Sequence, residues 1–342
     1  MRERRPRRRW LRDRWLVVVA VLPFLMGAAA SPHHPGAPVS TFRDPAIVES
    51  SGLAVVGGAF VTTNDSGDTG RVFTVDPATG RTTGVTHWAA DPTDTEAIAP
   101  AGHGQVWVGD IGDNSADRDS IEVARVPVGP GERSVHPTTY ELAYPDRAHN
   151  AETLLCDPRT GRLYVATKDV FGGQLYAAPT RLDADHVNPL TAVAPVLPIA
   201  TDGAFLPDGR HLVLRDYGRA VVYSFPAMEA VASFELPDQE QGEGIAVDAR
   251  DHVFVSSEGQ AQPVLRVPLP AKVRTTLGGP GGTSTGAAGG SNPAGATAAE
   301  GRQAPDPRPE DRPVWPWFFT MLLVLGGLVM VTGWIGSRRP RG

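Results

Sequence analysis

Short apolar segments separated by turn residues recur along the middle of the chain, and five of them align with one another. In each, an acidic residue (serine in the first) precedes a small residue and an apolar run, and a turn leads to a second, β-branched run. The five are SGLAVVGGAFVTTND from Ser51, EAIAPAGHGQVWVGD from Glu96, ETLLCDPRTGRLYVATKD from Glu152, DGAFLPDGRHLVLRD from Asp202 and EGIAVDARDHVFVSSE from Glu243. Their starts are 41 to 56 residues apart, a spacing typical of propeller blades.

Two further strand-like runs follow each aligned pair. Third runs begin at Arg71, Ile121, Gly173, Ala220 and Pro263, and the fourth runs are GVTHW, TYELAYP, LTAVAPVL and VASFELP. Four short antiparallel strands per unit, without any helical periodicity, predict an all-β, five-bladed β-propeller. The run VSTFRDP, from Val39, resembles a fourth strand but precedes the first unit, so we expect this N-terminal strand to close the fifth blade.

The N-terminal residues have the pattern of an export signal. Residues 2–14 contain eight arginines, and the apolar run of residues 15–30 ends in small residues. This pattern predicts a signal peptide over residues 1–30, with an uncleaved membrane anchor as the alternative. The run Arg7-Arg8-Arg9-Trp10-Leu11 leaves export by the twin-arginine route open beside the general route.

The C-terminal residues have the pattern of a tether and an anchor. Residues 275–312 are rich in Gly, Pro, Ala, Ser and Thr, which predicts a disordered linker. Residues 313–336 are apolar with tryptophans near both ends, which predicts one transmembrane helix. The basic residues 337–342 should stay in the cytoplasm, so we expect a single-pass cell-membrane protein with its propeller, residues 31–274, outside.

The charge of the central region excludes some partners. Removing the eight N-terminal and three C-terminal arginines, Glu3 and Asp13 leaves 21 basic and 36 acidic residues, a net charge near −15. Such a charge argues against nucleic acid and anionic lipid and leaves cations or cationic ligands open. Cys156 is the only cysteine, so an intramolecular disulfide is excluded, and its apolar neighbours predict a packed core thiol rather than a nucleophile.

Propeller geometry brings the acidic positions together. The first strand of a blade runs down the channel and the second returns, so the acid and the residue about 14 positions later share one face. The inner ring on this face is Ser51, Glu96, Glu152, Asp202 and Glu243. The outer set includes Asn64, Asp65, Asp68, Asp110, Asp113, Asn114, Asp169, Asp216 and Glu258.

Converging carboxylates repel one another and need protons, hydrogen bonds or a cation. Oxygen ligands of this kind suit Ca²⁺, for which the candidate ligands are Asn64, Asp65, Asp110, Asp113 and Glu243. The candidate ligand-binding residues of the channel face are Glu96, Glu152, Asp202, Glu243, Lys168 and Arg215. The alternative is structural: each acid accepts hydrogen bonds from backbone N–H groups of the neighbouring inner strand, and Lys168 and Arg215 pair with ring carboxylates.

A family resemblance follows from ten short motifs between residues 49 and 270. They are SGLA, TNDSGD, TEAIA, VGDIGDN, AETLL, YVATKD, TDGAF, LRDY, QGEGIA and SSEG. In this order they resemble the exported bacterial β-propellers of the SdiA-regulated type, which are similar in layout to NHL and gluconolactonase-like propellers. The resemblance implies a secreted or membrane-tethered propeller. In the more distant lactonase-like propellers Glu, Asn and Asp hold a divalent metal, a part that Glu96, Asp110, Glu243 and Asn64 would play here.

Two functional hypotheses follow. The preferred one is a cell-surface binding module for a protein, glycan or small molecule, with a divalent cation at the acidic face. The alternative is a metal-dependent hydrolase acting on a lactone, sugar or phosphoester, with Glu96, Glu152 or Glu243 as ligand or general base and Lys168 or Arg215 orienting an anion. The chain contains no nucleophile elbow, zinc-protease helix motif or phosphate loop, so no catalytic residue is assigned.

Overall fold

The structure is a computed structural model that describes residues 36–65, 67–88, 92–271 and 273–274. All of them belong to one compact unit, residues 1–282. The predicted signal peptide, linker, transmembrane helix and basic tail lie outside the described residues. Within the described ranges, no helix is long and apolar enough to cross a membrane.

The described residues form 22 β-strands. In chain order these are β1 (Ala37–Thr41), β2 (Ser50–Val56), β3 (Ala59–Asn64), β4 (Arg71–Val75), β5 (Thr82–Trp88), β6 (Thr95–Gly102), β7 (Gln105–Asp110), β8 (Ile121–Pro127), β9 (Gly131–Val135), β10 (Thr139–Ala143), β11 (Ala151–Cys156), β12 (Leu163–Thr167), β13 (Gly173–Ala177), β14 (Asn188–Pro189), β15 (Thr191–Val196), β16 (Asp202–Phe205), β17 (His211–Arg215), β18 (Arg219–Ser224), β19 (Ala230–Glu235), β20 (Gly242–Val247), β21 (Val253–Ser257) and β22 (Pro263–Val267).

These strands form five sheets, which are the five predicted blades. From the inner strand outwards, the sheets are β2-β3-β4-β5-β9, β6-β7-β8-β10-β14, β11-β12-β13-β15, β16-β17-β18-β19 and β20-β21-β22-β1. Each inner strand contacts the next, and β20 contacts β2, so the inner strands close a ring. The five-bladed propeller expected from the repeats is confirmed.

The fifth blade combines the two ends of the propeller. Strand β1 pairs antiparallel with β22, with Ala37 opposite Arg266 and Thr41 opposite Pro263. The closing strand predicted from Val39 is therefore present, and it covers the outer edge of β22. The start of β1 and the end of β22 both lie at the end of the channel opposite the start of the inner strands.

Two strands were not predicted, and both extend an outer edge in parallel. Strand β9 pairs with β5 of blade one, and β14 pairs with β10 of blade two. The connection before β9 passes so close to β5 that a Cβ at Gly84 would lie 2.0 Å from the carbonyl oxygen of Gly129. A polar pentapeptide and a dipeptide have no alternating apolar pattern, which is why periodicity missed them.

The hydrophobic core is divided into five clusters, one between each pair of neighbouring blades. Apolar side chains of every blade face both neighbours, so the blades hold each other by burial. Cys156 is half-buried and packs against the cluster of blades two and three. Because the ring closes on itself with its own core, we expect residues 31–282 to fold as an independent domain.

The register confirms which residues share one end of the channel. Thr95 pairs with Asp110 and Asp202 pairs with Arg215, and the first and second strands of blades one, three and five pair in the same way. The first residue of each repeat and the end of its second strand therefore lie together. We call this end, with Ser51, Glu96, Glu152, Asp202 and Glu243, the acidic mouth.

Candidate functional site

Both carboxylate oxygens of Asp202, the ring acid of blade four, accept hydrogen bonds from backbone N–H groups. Asp202 is fully buried, and its Oδ2 accepts from the N–H of Ile245 at 2.8 Å and of Leu53 at 3.3 Å. Its Oδ1 accepts from its neighbour Gly203 at 2.7 Å. Burial raises the pKa of Asp202, an effect that these hydrogen bonds and the charge of Arg215 oppose. One carboxylate thus joins β16, β20 and β2, as the structural alternative requires.

The acid of blade three is paired with a lysine and keeps one oxygen without a partner. Lys168 Nζ donates to Glu152 Oε1 at 2.5 Å. Glu152 is only 4% exposed, and its buried Oε2 has no hydrogen-bond partner among the described residues. Burial and the charge of Glu243 raise the pKa of Glu152, whereas Lys168 lowers it. The buried Lys168 keeps a raised pKa because the charges of Glu152 and Glu243 outweigh its desolvation.

Three carboxylates from blades one and two form a cluster. One oxygen of each of Asp65, Asp94 and Glu96 lies within 4.8 Å of the others. Burial, followed by the charge of Asp65 and a hydrogen bond with it, raises the pKa of Asp94 to about 6. Burial, followed by the charges of Glu152 and Asp65, raises the pKa of Glu96, which the bond from Ser51 Oγ at 2.7 Å only partly offsets. We call Asp65, Asp94 and Glu96 the carboxylate cluster.

Asp94 was missed by the sequence analysis, which considered only the ends of strands. It lies two residues before Glu96, in the loop that enters β6. The loop brings it close: a Cβ at Gly112 would lie 2.3 Å from Asp94 Oδ2, so a larger residue there would displace the Asp94 side chain. The two acids of the run TDTEA, Asp94 and Glu96, were the sequence signal that could have indicated Asp94 as a site residue.

Three of the predicted metal ligands use their polar atoms to fold loops instead. Asn64 accepts from the N–H of Val48 at 3.0 Å and of Glu49 at 3.3 Å. The Asp110 carboxylate accepts hydrogen bonds from Thr93 N at 2.7 Å, Asp94 N at 2.9 Å and Arg118 Nη1 at 2.8 Å. The Asp113 carboxylate accepts from Asp117 N at 3.1 Å and Arg118 N at 2.9 Å. Asp110 and Asp113 are not members of the carboxylate cluster, and with Asn64 they position the loops around it.

The guanidinium of Arg215, in blade four, also has hydrogen-bond partners within the propeller. Arg215 is fully buried, and its guanidinium donates to Gly244 O at 3.1 Å and to Gln239 Oε1 at 3.0 Å. Burial lowers the pKa of Arg215 to about 10, a value at which it stays charged at neutral pH, and the charge of Glu243 opposes this shift. Arg215 thus balances acidic charge from within the wall of the channel.

The remaining groups near the mouth are Glu243, Glu258 and Tyr217. Burial raises the pKa of Glu243, and the charges of Lys168 and Arg215 oppose this. Burial and the charge of Glu243 raise the pKa of Glu258 to about 7. Lys168 Nζ lies 5.2 Å from the ring centroid of Tyr217, a cation–π contact. The acidic mouth therefore concentrates carboxyl groups that are easier to protonate than in water.

No protein-family model and no characterised protein sequence matches the chain. Many solved structures are similar to it in fold. One is a gluconolactonase from Xanthomonas campestris, with 13% identity over 70% of this chain and 99% of the other and a TM-score of 0.43. Another is described as a glucose dehydrogenase, with 10% identity over 69% and 100% of the two chains and a TM-score of 0.42. A third, from a nidogen/laminin complex, has 17% identity over 62% and 73% and a TM-score of 0.38. Similarity at this level says nothing about activity.

Proposed function

We propose that the propeller is a binding module whose acidic mouth holds a divalent cation, with Ca²⁺ as the best candidate, between Asp65, Asp94 and Glu96. The observation that carries this proposal is the carboxylate cluster, whose oxygens lie within 4.8 Å of one another. Ca²⁺ accepts six to eight oxygen ligands at about 2.3–2.6 Å in flexible geometry. Three carboxylates around one ion supply part of such a shell, and water or a ligand supplies the rest.

The energetics of the metal-free cluster favour this proposal. Three carboxyl groups at this distance cannot all be ionised at low cost, and the raised pKa of Asp94 and Glu96 expresses that cost. A divalent cation removes the repulsion and takes the place of the proton that the raised pKa of Asp94 favours. Folding alone does not require such a cluster, because an uncharged side chain would avoid the repulsion.

A second observation supports a ligand at the same mouth. Glu152 Oε2 is buried and without a hydrogen-bond partner among the described residues, and a buried polar oxygen of this kind usually has one. The charge of Glu152 is among the causes that raise the pKa of Glu96, so the carboxylate to which this oxygen belongs interacts electrostatically with the cluster. A water bound to the cation or a hydrogen-bond donor of an organic ligand would satisfy it.

A metal-dependent hydrolase is the second candidate, and the same Glu152 supports it. A buried carboxylate with a raised pKa, next to a cation site and a lysine, has the properties of a general base. Binding is preferred because Arg215 is committed to the wall of the channel, and Lys168 to Glu152. A lactone and phosphoester screen, with Glu152→Gln as control, separates the two candidates: only a hydrolase loses turnover while keeping calcium.

The cellular setting is part of the proposal. We propose a single-pass cell-membrane protein that displays the propeller outside the cytoplasm and binds a protein, glycan or small molecule. The export signal, the Gly/Pro-rich linker and the apolar residues 313–336 support it.

Calorimetric titration of calcium into chelator-treated residues 31–282 tests the proposal. The wild type should bind one Ca²⁺ per propeller with a micromolar Kd. Asp94→Asn should weaken binding by about 100-fold, equivalent to about 2.7 kcal/mol, whereas the exposed control Asp185→Asn should bind like the wild type. Absence of binding by the wild type, or equal binding by Asp94→Asn, would refute the site.

A further inference from the structure

The other end of the channel has the opposite chemistry. Four residues after each member of the acidic ring, the inner strands carry an apolar residue or cysteine. These five are Val55, Pro100, Cys156, Leu206 and Val247. Because four residues along a strand span roughly 13 Å, the repeat places an apolar ring at the far end of the channel. We call this end the apolar mouth.

The apolar mouth contains a cavity of about 270 Å³. All five inner strands contribute to its lining, together with the turn prolines Pro158 and Pro207. Four alanines, Ala54, Ala99, Ala204 and Ala246, are among the lining residues, so small side chains border the cavity. The cavity is thus a product of the repeat and is shared by all five blades.

The carboxylate of Asp248, a charged residue of the lining, already has hydrogen-bond partners within the propeller. Asp248 Oδ1 accepts from the N–H of Arg250 at 2.8 Å and of His252 at 2.9 Å, and its Oδ2 lies 2.9 Å from the ring nitrogen Nδ1 of His252. A ligand in the cavity therefore meets mainly aliphatic side chains, and a charged ligand would lose hydration without gaining a partner.

We propose that the apolar mouth is a binding site for a small uncharged apolar molecule, of the size of a bicyclic aromatic. An enclosed apolar cavity of about 150 Å³ accommodates benzene, so a cavity of this volume accommodates roughly two fused rings. Burial of the ligand surface drives binding, and release of poorly hydrogen-bonded water assists it. This site is independent of the cation site at the acidic mouth.

Cys156 provides a reporter inside the site. It is the only cysteine of the chain, it lines the cavity, and it is half-buried. Burial, followed by the charge of Asp157, raises the pKa of its thiol to about 11, so it should react slowly but measurably with a neutral maleimide at pH 8. A molecule in the cavity would cover the thiol and slow that reaction further.

The test uses naphthalene as the probe and residues 31–282, after cooperative melting of this domain has been verified. We expect micromolar binding by calorimetry and at least tenfold slower alkylation of Cys156 by N-ethylmaleimide under saturation. Ala204→Leu, which fills the cavity, should weaken binding at least tenfold; Val247→Phe serves if that variant does not fold. The exposed control Ala192→Leu should bind like the wild type.

Three results would overturn the proposal. The first is no binding of naphthalene up to its solubility limit. The second is equal affinity of the wild type and a folded cavity-filled variant. The third is equal affinity for naphthalene-1-sulfonate, which would show that charge is not excluded. Calcium binding at the acidic mouth should be unchanged in Ala204→Leu, so failure here and failure of the cation site are separate outcomes.

Discussion

The acid that begins each repeat has different roles on two sides of the acidic mouth. On the side of blade four, Asp202 and Arg215 are fully buried, and backbone N–H and carbonyl groups take up their polar atoms. On the side of blades one and two, Asp65, Asp94 and Glu96 bring their oxygens together, and burial and mutual charge raise the pKa of Asp94 and Glu96. Repetition therefore does not imply equal roles: Asp202 joins strands, whereas Glu96 belongs to the carboxylate cluster.

The length of the side chain accounts for part of this division. Asp202 is the only aspartate in the ring, and its short side chain keeps the carboxylate near the backbone, within reach of Leu53 and Ile245. A glutamate at the same position extends one methylene further into the channel. Glu96 and Glu152 accordingly accept bonds from side chains, those of Ser51 and Lys168.

The largest expected effect is that of Asp202→Ala. It leaves the N–H groups of Ile245 and Leu53 buried without an acceptor and removes one of the acidic charges that act on Arg215, so we expect a loss of about 3–5 kcal/mol in the free energy of unfolding. Urea denaturation of residues 31–282 measures it. The exposed control Asp185→Ala should change stability by less than about 0.5 kcal/mol. A loss as small as that of the control would show that Asp202 does not join the strands.

Lys168→Met should have the next largest effect and should depend on pH. It leaves Glu152 buried without its cation, which should cost about 2 kcal/mol at pH 8 and less at pH 5, where Glu152 is protonated. Adding Glu152→Gln should restore most of the loss. If the double variant is no more stable than Lys168→Met, the ion pair is not the source of the effect.

Glu96→Gln should affect the metal-free stability in the opposite direction to Asp202→Ala. It removes a carboxyl group whose pKa is raised by burial and neighbouring charge, so the melting temperature at pH 8 should stay the same or rise by roughly 2–4 °C. Differential scanning calorimetry of the metal-free domain measures this. A decrease comparable to that of Asp202→Ala would mean that Glu96 is also a structural acid.

The pH dependence of the metal-free domain should report on the carboxyl groups of the acidic mouth without any substitution. The folded-state pKa of Asp94 is about 6 and that of Glu258 about 7, both above the unfolded values near 4. The folded state thus holds more protons in this range, and stability present at low pH is lost as the pH rises through these values. We expect the melting temperature to fall by on the order of 5 °C between pH 5 and pH 8 without calcium, and by less with calcium. A flat or rising profile would contradict the shifts.

The architecture could be predicted from sequence because it repeats. The apolar runs after Glu96, Glu152 and the other ring positions gave the blades, and the unpaired run from Val39 gave the closing strand β1. Strands β9 and β14 are short and polar and exist only because a neighbouring outer edge accepts them, which no local pattern reveals.

The sequence predicted a ring of acidic residues at one end of the channel, but it did not predict the carboxylate cluster. Asp65 and Glu96 were named in advance, whereas Asp94 depends on a loop that Asp110 and Gly112 fold into place. Spacing also could not distinguish Asp110, whose oxygens are used within that loop, from Asp65. Which carboxyl groups converge is decided by the three-dimensional folding of the loops, after the strands have been placed.

The central claim is that Asp202 has a structural role whereas Glu96 belongs to the proposed cation site. Its most direct test is the calcium-induced change in melting temperature of three proteins measured together: wild type, Glu96→Gln and Asp202→Asn. At 100 times the Kd, a bound cation adds about 2.7 kcal/mol, so the wild type should melt roughly 5–10 °C higher with calcium. We predict that Asp202→Asn starts from a lower melting temperature and keeps this increase, whereas Glu96→Gln loses it. Loss of the increase in both variants, or in neither, would contradict the account.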